Sequence, residues 1–214
     1  MSVSGLMGGI GAEALAALLI SSLQNKNYKT STEMMQDKPI EGVNVEVVPG
    51  FRNAVYVSPE FKANIKNQKV RDAIERLKAQ GGGVLVGQGM NNPAVIHHEI
   101  GHTKDKSKIS KLAPPIEHLW DKYNIPVWTT LAAMIGGTAY PKYFDALSLA
   151  NIGLQGISTL PILYSELAAS SYAKDKPDVD KRLLSKSFNS YLLDTIGKRV
   201  AVPAAGYLGY KIFK

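Results

Sequence analysis

Val84-Leu85-Val86-Gly87-Gln88-Gly89-Met90-Asn91-Asn92-Pro93-Ala94-Val95-Ile96-His97-His98-Glu99-Ile100-Gly101-His102 is the stretch on which the reading of this chain turns. Its first three residues are apolar and β-branched or leucine, follow a glycine run and predict a short strand. A loop over 87–92 leads into a helix. Asn is a natural N-cap, and Pro is tolerated in the first turn, so the helix starts around Asn91 to Pro93 and runs at least to His102, on to Lys104. His98 and His102 are four residues apart and stand one above the other on one helix face. Two imidazoles so placed converge on a single ion at about 2.0–2.1 Å from each nitrogen. Glu99 projects beside that ion, where a carboxylate can take a proton from activated water and hand it to a leaving amine. His97 lies on another face and is read as a packing or supporting residue.

The context strengthens this reading. The helix is strongly apolar, and unpaired His and Glu are costly in such surroundings. Three of the chain's four histidines fall within these six positions. The 214-residue chain has no cysteine, so disulfides, thiolate nucleophiles, Cys-ligated zinc and iron–sulfur clusters are excluded. With 45% hydrophobic and 20% charged residues it is not a disordered protein. A net charge of +7 favours an anionic surface as partner, but the basic residues are scattered and no nucleic-acid motif is present, so nucleic acid is not expected.

Upstream, Val70 to Gln80 forms an amphipathic helix with the stripe Val70, Ala73, Ile74 and Leu77, stopped by Gly81-Gly82-Gly83. Val43 to Val48 and Asn53 to Ser58 read as strands separated by a Pro49-Gly50 turn. Residues 25–40 are polar and read as a linker. Residues 1–24 form an apolar N-terminal helix (core, interfacial or membrane-spanning) carrying Glu13. No basic segment precedes it, so a cleaved secretory signal is not expected. Downstream, Ile125 to Tyr140 and Ala146 to Ser165 carry no charge and flank Pro141-Lys142-Tyr143-Phe144-Asp145, which predicts an apolar helical hairpin over 125–165. The first segment is short for a span, and the second contains Asn151, Gln155 and Pro161. Membrane association and a soluble cytoplasmic location both fit. A last apolar run, Val200 to Phe213, contains Pro203.

A catalytic zinc site takes three protein ligands and leaves one position for water. An extension of the motif with Gly at 105 and His at 108 is excluded, because the chain has Asp105 and Lys108. Glu166 is the best-placed third ligand. It ends the twenty-residue uncharged run, and small residues follow it that would let its helix come close to the histidine helix. Glu117, and then His118 or Asp121, remain alternatives. Two antiparallel helices, in lipid or in a core, return residue 166 to the side where residue 98 began.

The pattern resembles the gluzincin metallopeptidases, in which H-E-x-x-H on one helix is completed by a glutamate on a later one. It looks most like the bacterial membrane-associated neutral zinc metallopeptidases, whose motif helix is followed by an apolar hairpin and a helix of the form Glu-x-x-Ala-x-x-x-Ala, here Glu166, Ala169 and Ala173. The likeness covers roughly residues 50 to 175. It implies an α+β, mostly helical fold: a zincin-like domain over 41–214 with a small sheet, the hairpin and C-terminal helices. It implies Zn²⁺ on His98, His102 and Glu166, with Glu99 as general base.

The function expected is therefore zinc-dependent hydrolysis of a peptide or protein substrate. An extended peptide would add to the Val84–Val86 strand by edge pairing, and Tyr164, Tyr172 and Tyr191 are candidate donors to the oxyanion. Two rival readings stand beside it. One is a structural or membrane-active component of a larger assembly with a degenerate or structural metal site, and the other is a zinc-dependent cell-wall peptide hydrolase.

Overall fold

The protein is α+β and mostly helical. The structure is a computed structural model that describes residues 3–34, 38, 40–62, 65–116, 123 and 125–213. The helices used below are α1 (Val3–Met34), α2 (Gln68–Ala79), α3 (Pro93–Lys104), α4 (Ile125–Ala139), α5 (Phe144–Lys174), α6 (Lys181–Ile196) and α7 (Val202–Phe213), and the strands are β1 (Val45–Val48), β2 (Ala54–Val57) and β3 (Gly83–Gly87). The chain divides into two compact units. One comprises residues 28–106 and 165–188, and the other 1–27, 107–164 and 189–214. The single domain expected over 41–214 is thus distributed between them.

In the first unit the sheet has the order β1-β3-β2. β1 runs parallel to β3 with Val45 opposite Val84, and β2 runs antiparallel to it with Ala54 opposite Val86. The Pro49-Gly50 turn therefore does not close a hairpin, because β3 lies between the two strands it joins. The crossing chain explains the glycines at both ends of β3. A Cβ at Gly87 would stand 2.0 Å from the Phe51 carbonyl oxygen, and one at Gly83 would stand 2.3 Å from that of Asn44. Edge addition of a peptide to Val84–Val86 is ruled out, since β3 is paired on both sides. The free edges belong to β1 and β2.

The two faces of the sheet are covered by different helices, as a period of two requires. Leu85, Val48 and Val57 pack with Val70, Ala73, Ile74 and Leu77, the predicted stripe of α2. Val84, Val86 and Ala54 pack with Ile96 of α3. At the end of α2, Gly81 and Gly82 take the positive φ values of 86° and 105° that a helix stop demands, and the Gly82 N–H donates to the Leu77 carbonyl at 2.8 Å. Arg76 donates to both carboxylate oxygens of Glu46 on β1, from Nε at 2.8 Å and from Nη2 at 2.9 Å. Ala94, Ala173, Val179, Leu183 and Leu184 form a third apolar cluster that joins α3 to the end of α5 and the start of α6.

The second unit is helical and unusual in its polarity. On α5, Leu154 and Ile157 are each 68% exposed, while Gln155 and Thr159 are 2% and 1% exposed. Gln155 donates to Asn151 at 3.0 Å, and Asn151 donates to Thr130 of α4 at 3.1 Å. Over residues 151–160 of α5, polar side chains face inward and aliphatic ones outward. Small residues bring α7 onto α1: a Cβ at Gly209 would lie 2.6 Å from both the Ala12 Cβ and the Gly8 carbonyl oxygen. One at Gly206 would lie 2.2 Å from Glu13 Oε1. Phe144 stacks on Tyr207 and meets Tyr210 at a 42° tilt with ring centres 3.9 Å apart, and Lys211 pairs with Asp145 at 2.9 Å. Among the described residues two helical stretches, Met7–Lys26 and Pro141–Lys174, are long and apolar enough, by length and composition, to cross a membrane.

α1 continues to Met34, so residues 25–34 of the expected linker are helical. Nothing from Asn25 to Met34 breaks a helix, since the segment holds neither Gly nor Pro.

Candidate metal centre

α3 begins as its sequence requires. The Asn92 side chain accepts a hydrogen bond from the Ala94 N–H at 2.9 Å, and Pro93 occupies the first turn. With its start fixed, the helix presents His98, Gly101 and His102 along one side. The C-terminal part of α5 faces them with Ser165 and Ala169 in one row and Glu166 and Ser170 in the next. Gly101 and Ala169 are the contact point, where a Cβ on Gly101 would come within 2.7–3.1 Å of the Ala169 oxygen, Cα and carbonyl carbon. The two backbones approach this closely because one position has no side chain and the other has only a methyl group. Ala169 and Ala173 are both fully buried.

Across this seam the Nε2 atoms of both histidines face Glu166. His98 Nε2 is 3.1 Å from Glu166 Oε2, and His102 Nε2 is 3.4 Å from Glu166 Oε1. Two ligands held about 2.05 Å from a tetrahedral ion stand about 3.3 Å apart, and each of these nitrogens lies at about that distance from one of the two Glu166 oxygens. One ligand atom from each of the three residues lies within 4.8 Å of the others. The rings meet edge to face at 89°, with centroids 4.9 Å apart. The outer nitrogens are also engaged: His98 Nδ1 is 3.2 Å from Ser170 Oγ, and His102 Nδ1 is 3.2 Å from Ser165 Oγ. The donor set of two imidazoles and one carboxylate therefore fits a divalent transition metal.

The electrostatics follow from burial and crowding. Burial pushes the Glu99 carboxyl up to about 7; Glu166 adds to that and His98 opposes it. Burial drives the His102 imidazole below the ordinary range. It acts in the same sense on His98, but the hydrogen bond to Glu166 and the charges of Glu166 and Glu99 outweigh it and leave His98 raised.

The structure brings His98, His102 and Glu166 together and sets the half-buried Glu99 within electrostatic reach of His98 and Glu166. His97 points elsewhere, with its Nε2 3.2 Å from Asp178. Glu117, His118 and Asp121 lie outside the described residues. Tyr172 is covered by the Lys176 ammonium at 4.2 Å from the ring centre. Tyr164 and Tyr191 belong to the other unit. Ser165 and Ser170 escaped the sequence reading; Ser170 stands one turn after Glu166 on the same side of the helix, and Ser165 lies in the adjoining row. No protein-family model, curated protein or solved structure matches this chain.

Proposed function

We propose that this chain is a zinc-dependent metallopeptidase of the gluzincin type, carried in a membrane by its apolar helical unit. The observation that carries the catalytic part is the 3.1 and 3.4 Å spacing of two imidazole nitrogens from one carboxylate. Together with the neighbouring Glu99, that set would supply three ligands to a metal and a base beside it. His98, His102 and Glu166 would hold the ion. When bound, zinc supplies the Lewis acidity that polarises a carbonyl and acidifies water. Glu99 accepts the proton of the attacking water and returns it to the leaving amine. Its half-buried carboxyl, with a pKa raised to about 7, suits both halves of that transfer.

An extended substrate would run along β2. Gly87 N–H donates to the Asn53 carbonyl, so alternate residues Val55 and Val57 also turn their backbone groups to β3, and Ala54 and Tyr56 turn theirs outward. α3 packs against β2, which brings that edge to the side of the motif helix.

The inside-out polarity of α4 and α5 supports lipid as the surroundings of the helical unit. A surface of Leu154, Ile157 and Leu160 over a seam of Asn151, Gln155 and Thr130 is what hydrocarbon favours. The test of function is hydrolysis of a quenched-fluorescence peptide mixture by zinc-loaded protein in detergent, beside the Glu99→Gln variant. Cleavage by the parent with loss in Glu99→Gln at equal zinc content supports the proposal, and equal cleavage by both sinks it.

A further inference from the structure

We infer that Ser165 and Ser170 are positioning residues that fix the two imidazoles through their outer nitrogens, so that one face of α5 supplies the third ligand and both supports. This rests on the metal reading above. Ser165 Oγ and Ser170 Oγ each stand 3.2 Å from an Nδ1, of His102 and His98 respectively. Glu166, between them on the same helix, faces the two Nε2 atoms. Each ring is thus approached at both nitrogens by one six-residue stretch of α5, Ser165 to Ser170, across a seam closed by Gly101 on Ala169.

The hydroxyl is the informative choice. A neutral imidazole carries its proton on one nitrogen, and the other nitrogen is an acceptor. When Nε2 donates to the Glu166 carboxylate, Nδ1 needs a donor. When Nε2 offers its lone pair to a metal, Nδ1 carries the proton and needs an acceptor. A carboxylate or carbonyl, the usual outer partner of a ligating histidine, serves only the second state. A serine hydroxyl donates or accepts, so the rings keep one orientation in both. Loading then costs a proton shift along each ring and no rotation. Removing such an outer partner typically weakens metal binding about 10–100-fold.

The experiment measures Co²⁺ and Zn²⁺ affinity of the full chain in detergent by chelator competition, together with the visible spectrum of the Co²⁺ form. Ser165→Ala and Ser170→Ala are expected to bind each metal about 10–100-fold more weakly and to alter the Co²⁺ band shape. Ser165→Thr and Ser170→Thr, which keep the hydroxyl, should recover most of that loss. Ser171→Ala, exposed on the same helix, should bind as the parent does. Alanine is the better helix former, so the fold should survive, and circular dichroism checks it. Alanine variants with the parent's affinity and spectrum would overturn this inference alone. A parent chain that takes up neither metal would overturn the metal reading and this inference together.

Discussion

Gly101→Ala places a methyl group at the closest backbone contact of the site. The new Cβ would meet the Ala169 oxygen at 2.7 Å, its Cα at 2.8 Å and its carbonyl carbon at 3.1 Å. Carbon atoms in contact sit about 3.5–4.0 Å apart, so α3 and α5 must separate by roughly 0.7 Å. All three obstructing atoms are backbone, so no rotamer relieves them. A metal site tolerates distance errors of about 0.2 Å, and the ligands come from opposite sides of this seam. The substitution should therefore weaken zinc binding at least tenfold, about 1.4 kcal/mol, and destabilise the fold by about 1–3 kcal/mol through overpacking. Chelator competition with a chromogenic zinc indicator measures the first effect, and urea unfolding of metal-free protein the second. A second substitution, Ala169→Gly, should not rescue binding, because it removes the wrong atoms. A folded Gly101→Ala variant that holds zinc as tightly as the parent would refute the claim that this contact sets the ligand spacing.

Other perturbations have equally definite outcomes. Glu99→Gln should keep zinc and lose hydrolysis by at least two orders of magnitude, read from initial rates at matched metal content. In the metal-free protein the Glu99 proton affinity is raised from 4.5 to about 7, so the folded state binds the proton more tightly than the unfolded one. The stability this confers is complete below pH 4.5 and is lost as pH rises through 7. Glu99→Gln, which stays neutral, should match the parent near pH 4 and exceed it at pH 8 by on the order of 3 kcal/mol in urea titrations. His98→Ala should remove bound zinc altogether, and elemental analysis with unchanged stoichiometry would exclude it as a ligand. Leu154→Lys combined with Ile157→Lys puts two charges on the outward face of α5, at about 2.5–3.5 kcal/mol each in hydrocarbon. The parent should float with vesicles on a density gradient and the double variant should not; equal flotation would contradict a lipid-facing surface.

Local chemistry made much of this protein legible. The α2 stripe, its glycine stop, the Asn92–Pro93 helix start and the strand at 84–86 are written in nearest neighbours and short periods, and all form where the sequence places them. Glu166 could be singled out because a carboxylate at the end of an uncharged run calls for a partner. Strand order was hidden, since alternation reports which face a residue occupies and says nothing of which strand lies beside it. That is why β3, read as an edge, is central. The polarity of residues 25–34 suggested a linker, yet a helix needs only freedom from breakers. Asn151 and Gln155 looked like obstacles to a membrane span, but they pair inward with each other and with Thr130, which leaves the outer face aliphatic. Ser170 read as one of the small packing residues after Glu166 and Ser165 only as the end of the uncharged run, because a hydroxyl's role depends on an imidazole 63 or 72 positions away in the chain.

Zinc K-edge absorption on the metal-loaded chain tests the central claim most directly. The account predicts one zinc per chain with two imidazoles and oxygen ligands at about 2.0–2.1 Å, and loss of one oxygen contribution and most of the affinity in Glu166→Ala. A chain that holds no zinc, or one whose zinc shell lacks imidazole scattering or is unchanged by Glu166→Ala, would contradict it.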